Sequence, residues 1–393
     1  MKRSSERIRT THAGRLPNSP GCDDLPIRLF RGETIDPKVI DAGLEHVVRR
    51  QREIGVDIIG DGEFWKSRSF SYYSRHLSGV TTRELKPGEP FSTRVFTRER
   101  DEFSGFYRDL DATGTIFHVP GEKPMPPERV RMVANAPVKV QGTAAIAQEI
   151  ETFKKGLAKA GHPADEAFFC VIAPGWLDHF IFNEYYKSDE EYIFALAEAL
   201  REEYLAVVNA GLILQIDDPG VVDWWDMLKP ALSVREYVDR FAKMRIEAVN
   251  HALKGIPEDR VRYHLCWGSW HGPHTHDLPF EHIIALMLQV KAQCYSFEAA
   301  NVRHEHEWAL WKKVKLPDGK IILPGIVSHA TNLIEHPELI AERIQRFAGA
   351  VGRENVLAGS DCGLGGRVHA EIAWAKLAAL VEGARIASKA LWK

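Results

Sequence analysis

Residues 261–277 read VRYHLCWGSWHGPHTHD, which puts one cysteine and four histidines at the end of an apolar run. If 261–267 is a strand, its period-2 alternation aims His264 and Cys266 at the same face, so one strand end offers an imidazole and a thiol to a single ion. In isolation an H-x-C triplet is more often a satisfied interior histidine beside a small buried cysteine, so the reading turns on ligands elsewhere in the chain. Several side chains of the right type follow other apolar runs. They are His12 and Arg15, Asp61 and Glu63, Asp217 and Asp218, Glu298, His329, and Asp361 with Cys362.

His264, Cys266, Glu298 and Cys362 together make a donor set that suits zinc. A protonated thiol is a poor nucleophile, and coordination to zinc deprotonates it. Two thiolates and a carboxylate leave such a site formally anionic. It is then a weak Lewis acid toward water, yet able to hold a thiolate that still attacks an alkyl group. Hydrolytic zinc sites are instead rich in histidine and keep an open water position. Glu298 is the hardest of the four ligands and the one expected to give way when a substrate sulfur enters. A structural zinc is the alternative, but structural sites draw their ligands from knuckles close in sequence, whereas these span 264 to 362.

The elements that must position these residues alternate along the chain. Strands are predicted at 8–14, 56–60, 138–142, 167–173, 212–216, 261–267, 292–297, 320–327 and 355–359. Helices are predicted at 36–55, 144–160, 189–210, 233–253, 280–290, 336–350 and 368–388. Asp36-Pro37 supplies an N-cap and a first-turn proline for the first helix. This rhythm predicts an α/β fold, a (β/α)8 TIM barrel, over 1–393 as a single domain. A closed barrel needs eight strands, so one of the nine, either 138–142 or the segment at 8–14, lies outside the pattern. A doubly wound open sheet is disfavoured because no glycine-rich phosphate turn follows the first strand. Between about 67 and 136 the alternation stops, and aromatics, charges, glycines and prolines mix. A stretch this long predicts an insertion after an early strand, packed over the barrel mouth or serving as an arm for homo-oligomer formation. In the barrel, active sites form at strand C-termini, where all the candidates above lie.

The chain has 393 residues, 51 basic against 54 acidic, with a formal net charge of -3, so it carries no electrostatic footprint for nucleic acid or a membrane surface. A small-molecule substrate fits better. Five widely spread cysteines are not a disulfide framework and predict a reducing compartment. The basic N-terminus lacks an apolar core, and no run is long enough to span a bilayer, so a cytoplasmic location is expected.

H-x-C at His264 and Cys266, a glutamate ending the next strand at Glu298, and D-C-G-L from Asp361 together resemble the catalytic barrel of cobalamin-independent methionine synthase and its single-barrel relatives. TTHAGRLP from Thr10 is similar to that family's opening loop, DGE ending at Glu63 to its amine-holding glutamate, and QIDDP from Gln215 to the partner aspartate, here Asp217. The resemblance implies zinc on His264, Cys266, Glu298 and Cys362, and methyl transfer to the thiol of homocysteine. Substrate contacts from Glu63 and Asp217 are implied, with Glu298 and His329 catalytic; His12, Arg15, Trp267 and His271 are further candidates for the substrate pocket by their positions.

The chain also departs from the family pattern. It has no room for the second, N-terminal barrel of the full-length synthase. His329 stands about one position from the family's catalytic histidine. Arg15 replaces a small hydroxyl residue, which suggests an anionic group at the pocket floor. The WGSWHGPHTHD segment is similar to that of epoxyalkane:coenzyme M transferases. His274 and His276 are either pocket acids or solvated loop residues.

The expected activity is therefore zinc-dependent transfer of a methyl or alkyl group from a donor to a small thiol. The alternatives are epoxide-type alkylation of coenzyme M and, in another class, a non-catalytic barrel that binds zinc or a thiol.

Overall fold

The short β-branched and apolar runs form strands that are buried on both faces, as parallel strands covered by helices must be. In the computed structural model, which describes all residues except 23–24, 26–27, 29–31, 67–70, 90–96, 113–129 and 229, eight strands lie in one parallel sheet. They are β1 (Arg9–Thr10), β2 (Ile59–Gly60), β5 (Ala167–Ile172), β7 (Ile213–Asp217), β8 (Val261–Leu265), β9 (Cys294–Phe297), β10 (Ile321–Val327) and β11 (Leu357–Ser360). Their order is β1-β11-β10-β9-β8-β7-β5-β2. Ile58 and Asp57 donate their N–H groups to the Thr10 carbonyl at 3.0 and 3.1 Å, so the two ends of the sheet meet and the strands close in chain order as a TIM barrel.

The barrel interior is filled by Ile58, Phe168, Cys170, Ile213, Cys294, Ile321, Leu323 and Leu357. Above them, buried Arg262 lies over the Phe168 ring at 3.5 Å. Helices Pro37–Ile54, Ala144–Lys159, Asp189–Asn209, Pro337–Val351 and Ala370–Leu391 form where the 3.6-residue periodicity predicts them. Asp36 caps the first of these, accepting from Lys38 N at 2.9 Å.

One open alternative is resolved and one expectation is corrected. Of the two strands in doubt, the 8–14 segment supplies β1. Residues 138–140 instead end β4 (Val130–Val140), which pairs antiparallel with β3 (Leu77–Glu84) and parallel with β6 (Ile181–Asn183) in a separate three-stranded sheet. The physical reason is antiparallel pairing with a strand distant in sequence, which local pattern does not reveal. The helix expected at 280–290 is reduced to a turn at Phe280–His282 and one at Ile284–Met287. There the carbonyls of Leu288 and Val290 accept from the Tyr295 hydroxyl at 3.2 and 2.9 Å instead of continuing a helix.

The predicted insertion 67–136 falls partly outside the described residues. Its described part holds β3, most of β4, and the helices Arg98–Glu102 and Ser104–Ala112. Among the described residues no helix is long and apolar enough to cross a membrane.

Candidate metal centre and substrate pocket

His264 lies second from the end of β8, and its cross-strand neighbour on β9 is Ser296. The Nδ1 atom of His264 and the Ser296 hydroxyl are 2.9 Å apart, which fixes the ring and leaves Nε2 buried with no oxygen or nitrogen partner, facing the Cys362 sulfur. Cys266 follows β8 and Cys362 follows β11; their sulfurs are 3.9 Å apart. The ligand atoms of His264, Cys266 and Cys362 all lie within 4.8 Å of one another. The contact with the Cys266 sulfur, with Arg367 and His264 nearby, holds the Cys362 thiol well below the ordinary thiol range, while the same contact and burial push Cys266 well above it. The result is a buried pair of sulfurs beside an imidazole nitrogen whose one polar neighbour is the Cys362 sulfur.

Glu298 stands next to this trio rather than within it. One carboxylate oxygen accepts from Trp267 N at 2.9 Å and the other from Asn301 Nδ2 at 2.6 Å. It groups within 4.8 Å of His329 and Asp361. Asp361 is itself held by the N–H groups of Ala299 and Ala300 at 2.7 and 2.8 Å. Burial pushes the Glu298 carboxyl up to about 8, with Asp361 and Cys362 adding to the rise and His304 only partly opposing it. His329 is buried, which lowers it to about 3, and its Nδ1 has no partner. The donor set fits a zinc-type dication, since an orphaned imidazole nitrogen, two adjacent sulfurs and a destabilised carboxylate all gain from one.

A second group assembles at the ends of β2, β5 and β7. Polar atoms of Glu63, Cys170 and Asp217 lie within 4.8 Å of one another. Glu63 sits at φ 53°, and Gly14 at φ 121° leaves the space its carboxylate occupies; a Cβ there would collide with it. Gln215 donates to Asp217 Oδ1 at 2.6 Å and to the Ala13 carbonyl at 3.2 Å, and accepts from Arg262, so the buried arginine orients Asp217 through Gln215. Burial, then Glu63, raise Asp217 to about 7.

Sequence reasoning missed Lys66. It is 8% exposed and donates to the Cys170 carbonyl. Burial disfavours its charge, but Tyr73, Cys170, Glu63 and Asp61 outweigh that and keep it an ammonium. The pocket thus has a resident cation near its carboxylates, and only the two residues separating Lys66 from Glu63 hinted at it.

The remaining candidates are placed as follows. Arg15 donates to the Lys66 carbonyl at 2.9 Å, and its own carbonyl accepts from Leu364 and Gly365, stitching the opening loop to the one that carries Cys362. Both ring nitrogens of His12 are engaged within the fold, by Gln51 at 2.8 Å and by Gly14 N at 3.2 Å. Trp267 is buried, stacks on His304 at 3.9 Å and contributes its backbone N–H to Glu298. His271 is half-buried and lies within electrostatic reach of His329. His274 pairs with Asp277 at 3.0 Å, and His276 with Glu102 of the insertion at 2.7 Å. His304 bridges Asp277 and Glu307 at 3.1 and 2.8 Å. Ser296 was also missed, although it is two residues before Glu298 and alternation puts both on one face.

The family model described as "Cobalamin-independent synthase, Catalytic domain" matches residues 182–386, just over half of the chain. The chain is 27% identical over 237 residues to a methionine synthase of Saccharolobus islandicus (strain L.S.2.15 / Lassen #1), covering 60% of this chain and 62% of that protein. The aligned region therefore spans less than two thirds of that relative's length. Similarity to a methionine synthase of Sulfolobus acidocaldarius is 22% over 374 residues, covering 93% and 88% of the two chains. In fold the chain is similar to a B12-independent methionine synthase from Shewanella sp. W3-18-1 solved with selenomethionine (TM-score 0.70, 17% identity, 98% and 99% covered). It is also similar to a B12-independent methionine synthase homologue from Listeria monocytogenes (TM-score 0.64, 18% identity, 97% and 98% covered). The matched segment contains His264, Cys266, Glu298 and Cys362, and on this match the chain belongs to the cobalamin-independent synthase catalytic-domain family.

Proposed function

We propose that this protein transfers a methyl or other small alkyl group from a donor to a small thiol of the homocysteine type, at a zinc site made by His264, Cys266 and Cys362 with Glu298 in reserve. The observation that carries the reading is the buried sulfur pair, 3.9 Å apart, with the partnerless His264 Nε2 aimed at it. When bound there, zinc would keep an incoming thiol in its thiolate form at neutral pH. Glu63 and Asp217 accept hydrogen bonds from the substrate ammonium, and Gln215 holds Asp217 in place to do so. Arg15 lies on the loop that meets the substrate's anionic end. Glu298 is held beside the trio by Trp267 N and Asn301, and its carboxylate would serve as the exchangeable fourth ligand to a bound zinc. The His329 imidazole, neutral and with Nδ1 unpaired, hydrogen-bonds the donor's leaving group.

A second reading, an amine-free thiol such as coenzyme M, is favoured by Lys66. A resident ammonium near Glu63 offsets part of the need for a cation from the substrate.

The test is metal analysis followed by titration with homocysteine and with coenzyme M while the zinc shell is watched by X-ray absorption. One added sulfur is expected on thiol binding. Cys266→Ser and Cys362→Ser should lose the metal with the barrel still folded, whereas Cys170→Ser should keep it. An unchanged sulfur count with every thiol tried would remove the transfer reading and leave a barrel that only binds metal.

A further inference from the structure

The loop 267–277 leaves Cys266 in an unusual backbone path. Gly268 has φ 90°, Ser269 φ 51° and His274 φ 55°, two of them non-glycine residues in the left-handed region. Such conformations persist only where the surroundings hold them. From the barrel side the loop is held by Arg367, which donates to the Ser269 hydroxyl at 2.8 Å, and within itself by the pairing of His274 with Asp277.

The other side is held by the insertion. Glu99, on the helix Arg98–Glu102, is 1% exposed. Its Oε1 accepts from Thr275 N at 2.7 Å, and its Oε2 accepts from the Tyr107 hydroxyl. That hydroxyl accepts in turn from Trp270 Nε1 at 3.3 Å. Gly272 gives way at this junction, since a Cβ there would collide with Trp270 and crowd the Tyr107 hydroxyl at 2.9 Å. The same helix is anchored on the loop beyond β7. Arg98 donates to the Trp225 carbonyl at 2.8 Å and, through N and Nε, to Asp226 at 3.1 and 3.3 Å.

One short helix therefore ties together the segments that follow β7 and β8, the strands that present Asp217 and the Cys266 loop. A carboxylate is costly to bury, and Glu99 reaches the Thr275 end of the 270–275 span directly and the Trp270 end through the Tyr107 hydroxyl, an arrangement that sequence spacing in the barrel does not require.

We infer that Glu99 is a positioning residue that, with Tyr107, sets the 267–277 loop over the sulfur pair and so aligns the donor side of the site, while leaving the thiol pocket at Glu63 and Asp217 untouched. Only the kinetic part of this inference rests on the methyl-transfer reading.

The experiment compares Glu99→Ala, Glu99→Gln and Tyr107→Phe with the unmodified protein by hydrogen–deuterium exchange, metal content, thiol affinity and single-turnover rate. In Glu99→Ala, amides in 267–277 should exchange at least tenfold faster while β7 and β8 keep their protection. Metal content and thiol Kd should stay within twofold, and the transfer rate should fall at least tenfold. Glu99→Gln keeps an oxygen for Thr275 N and should recover most of the rate. Tyr107→Phe, which frees only the Trp270 end, should fall between the two and serves if Glu99→Ala does not fold. Unchanged loop exchange in Glu99→Ala and Tyr107→Phe overturns the inference. So does a Glu99→Gln variant no better than Glu99→Ala, or a parallel loss of metal and thiol binding. Loop exchange is read without any donor, so a protein that transfers nothing yet loosens its loop sinks the transfer reading and upholds the positioning role.

Discussion

Glu63 and Asp217 bring two carboxylates together in one pocket. Burial and the neighbouring Glu63 raise Asp217 to about 7, and Gln215 donates to one of its oxygens, so a ligand ammonium arriving between the two carboxylates relieves the remaining repulsion. Glu63→Gln and Asp217→Asn are each expected to weaken homocysteine binding by about 1.5–3 kcal/mol, the range for a hydrogen bond to a charged group, and to leave coenzyme M affinity nearly unchanged. Isothermal titration decides this. Homocysteine bound equally well by both variants would favour the amine-free thiol, for which Lys66 already supplies the cation. Both carboxylates were legible in the sequence because each ends an apolar run. Lys66 was not, because a lysine just past a strand end has no local mark that says its ammonium turns inward to a carbonyl 104 positions away.

At the scale of elements, the helix Ala144–Lys159 carries a buried carboxyl on its inner face. Glu149 accepts from the Tyr72 hydroxyl at 2.6 Å and lies 3.9 Å from His76 Nε2, yet burial outweighs both and raises it to about 7. Between the ordinary carboxyl value and about 7 the folded state binds the proton that the unfolded chain has released, so stability falls as pH rises across this window and levels off above it. Glu149→Gln keeps an acceptor for Tyr72 and removes the charge. It is expected to raise stability at pH 8 by up to about 3 kcal/mol, given roughly 1.4 kcal/mol for each tenfold change in proton affinity, with the gain shrinking toward zero near pH 4.5. Thermal unfolding across that range checks it, and a gain that grows on acidification would contradict the assignment.

For the molecule as a whole, closure depends on a two-residue strand, β1, that has little ladder of its own. Asp57 supplements it by accepting from Thr10 N at 2.8 Å and from the Thr10 hydroxyl at 3.1 Å, while Arg7 pairs with its other oxygen. Burial pushes this carboxyl up, but the Arg7 and Thr10 bonds more than offset that and hold it below its ordinary value. Its contribution is therefore present at neutral pH and lost as pH falls through the carboxylate range. Asp57→Ala should lower stability by about 1–3 kcal/mol by leaving the buried Thr10 N–H without its acceptor. Urea titration should show a lower midpoint at an unchanged slope. An unchanged midpoint would mean that the seam holds by strand pairing alone.

The sequence by itself determined the alternation of strands and helices, the barrel, and the rim positions of His264, Cys266, Glu298 and Cys362, because periodicity and strand ends are local properties. Tertiary structure decided what pairs with what. Cys266 and Cys362 are 96 positions apart, and only barrel closure makes their sulfurs neighbours. Residues 138–140 carry a strand pattern, but an antiparallel partner in the insertion captures them. Glu298 reads as a ligand in sequence, yet backbone N–H and amide donors brought in by Trp267 and Asn301 hold its carboxylate beside the trio, because a buried acceptor takes the nearest available donors and those are set by the fold.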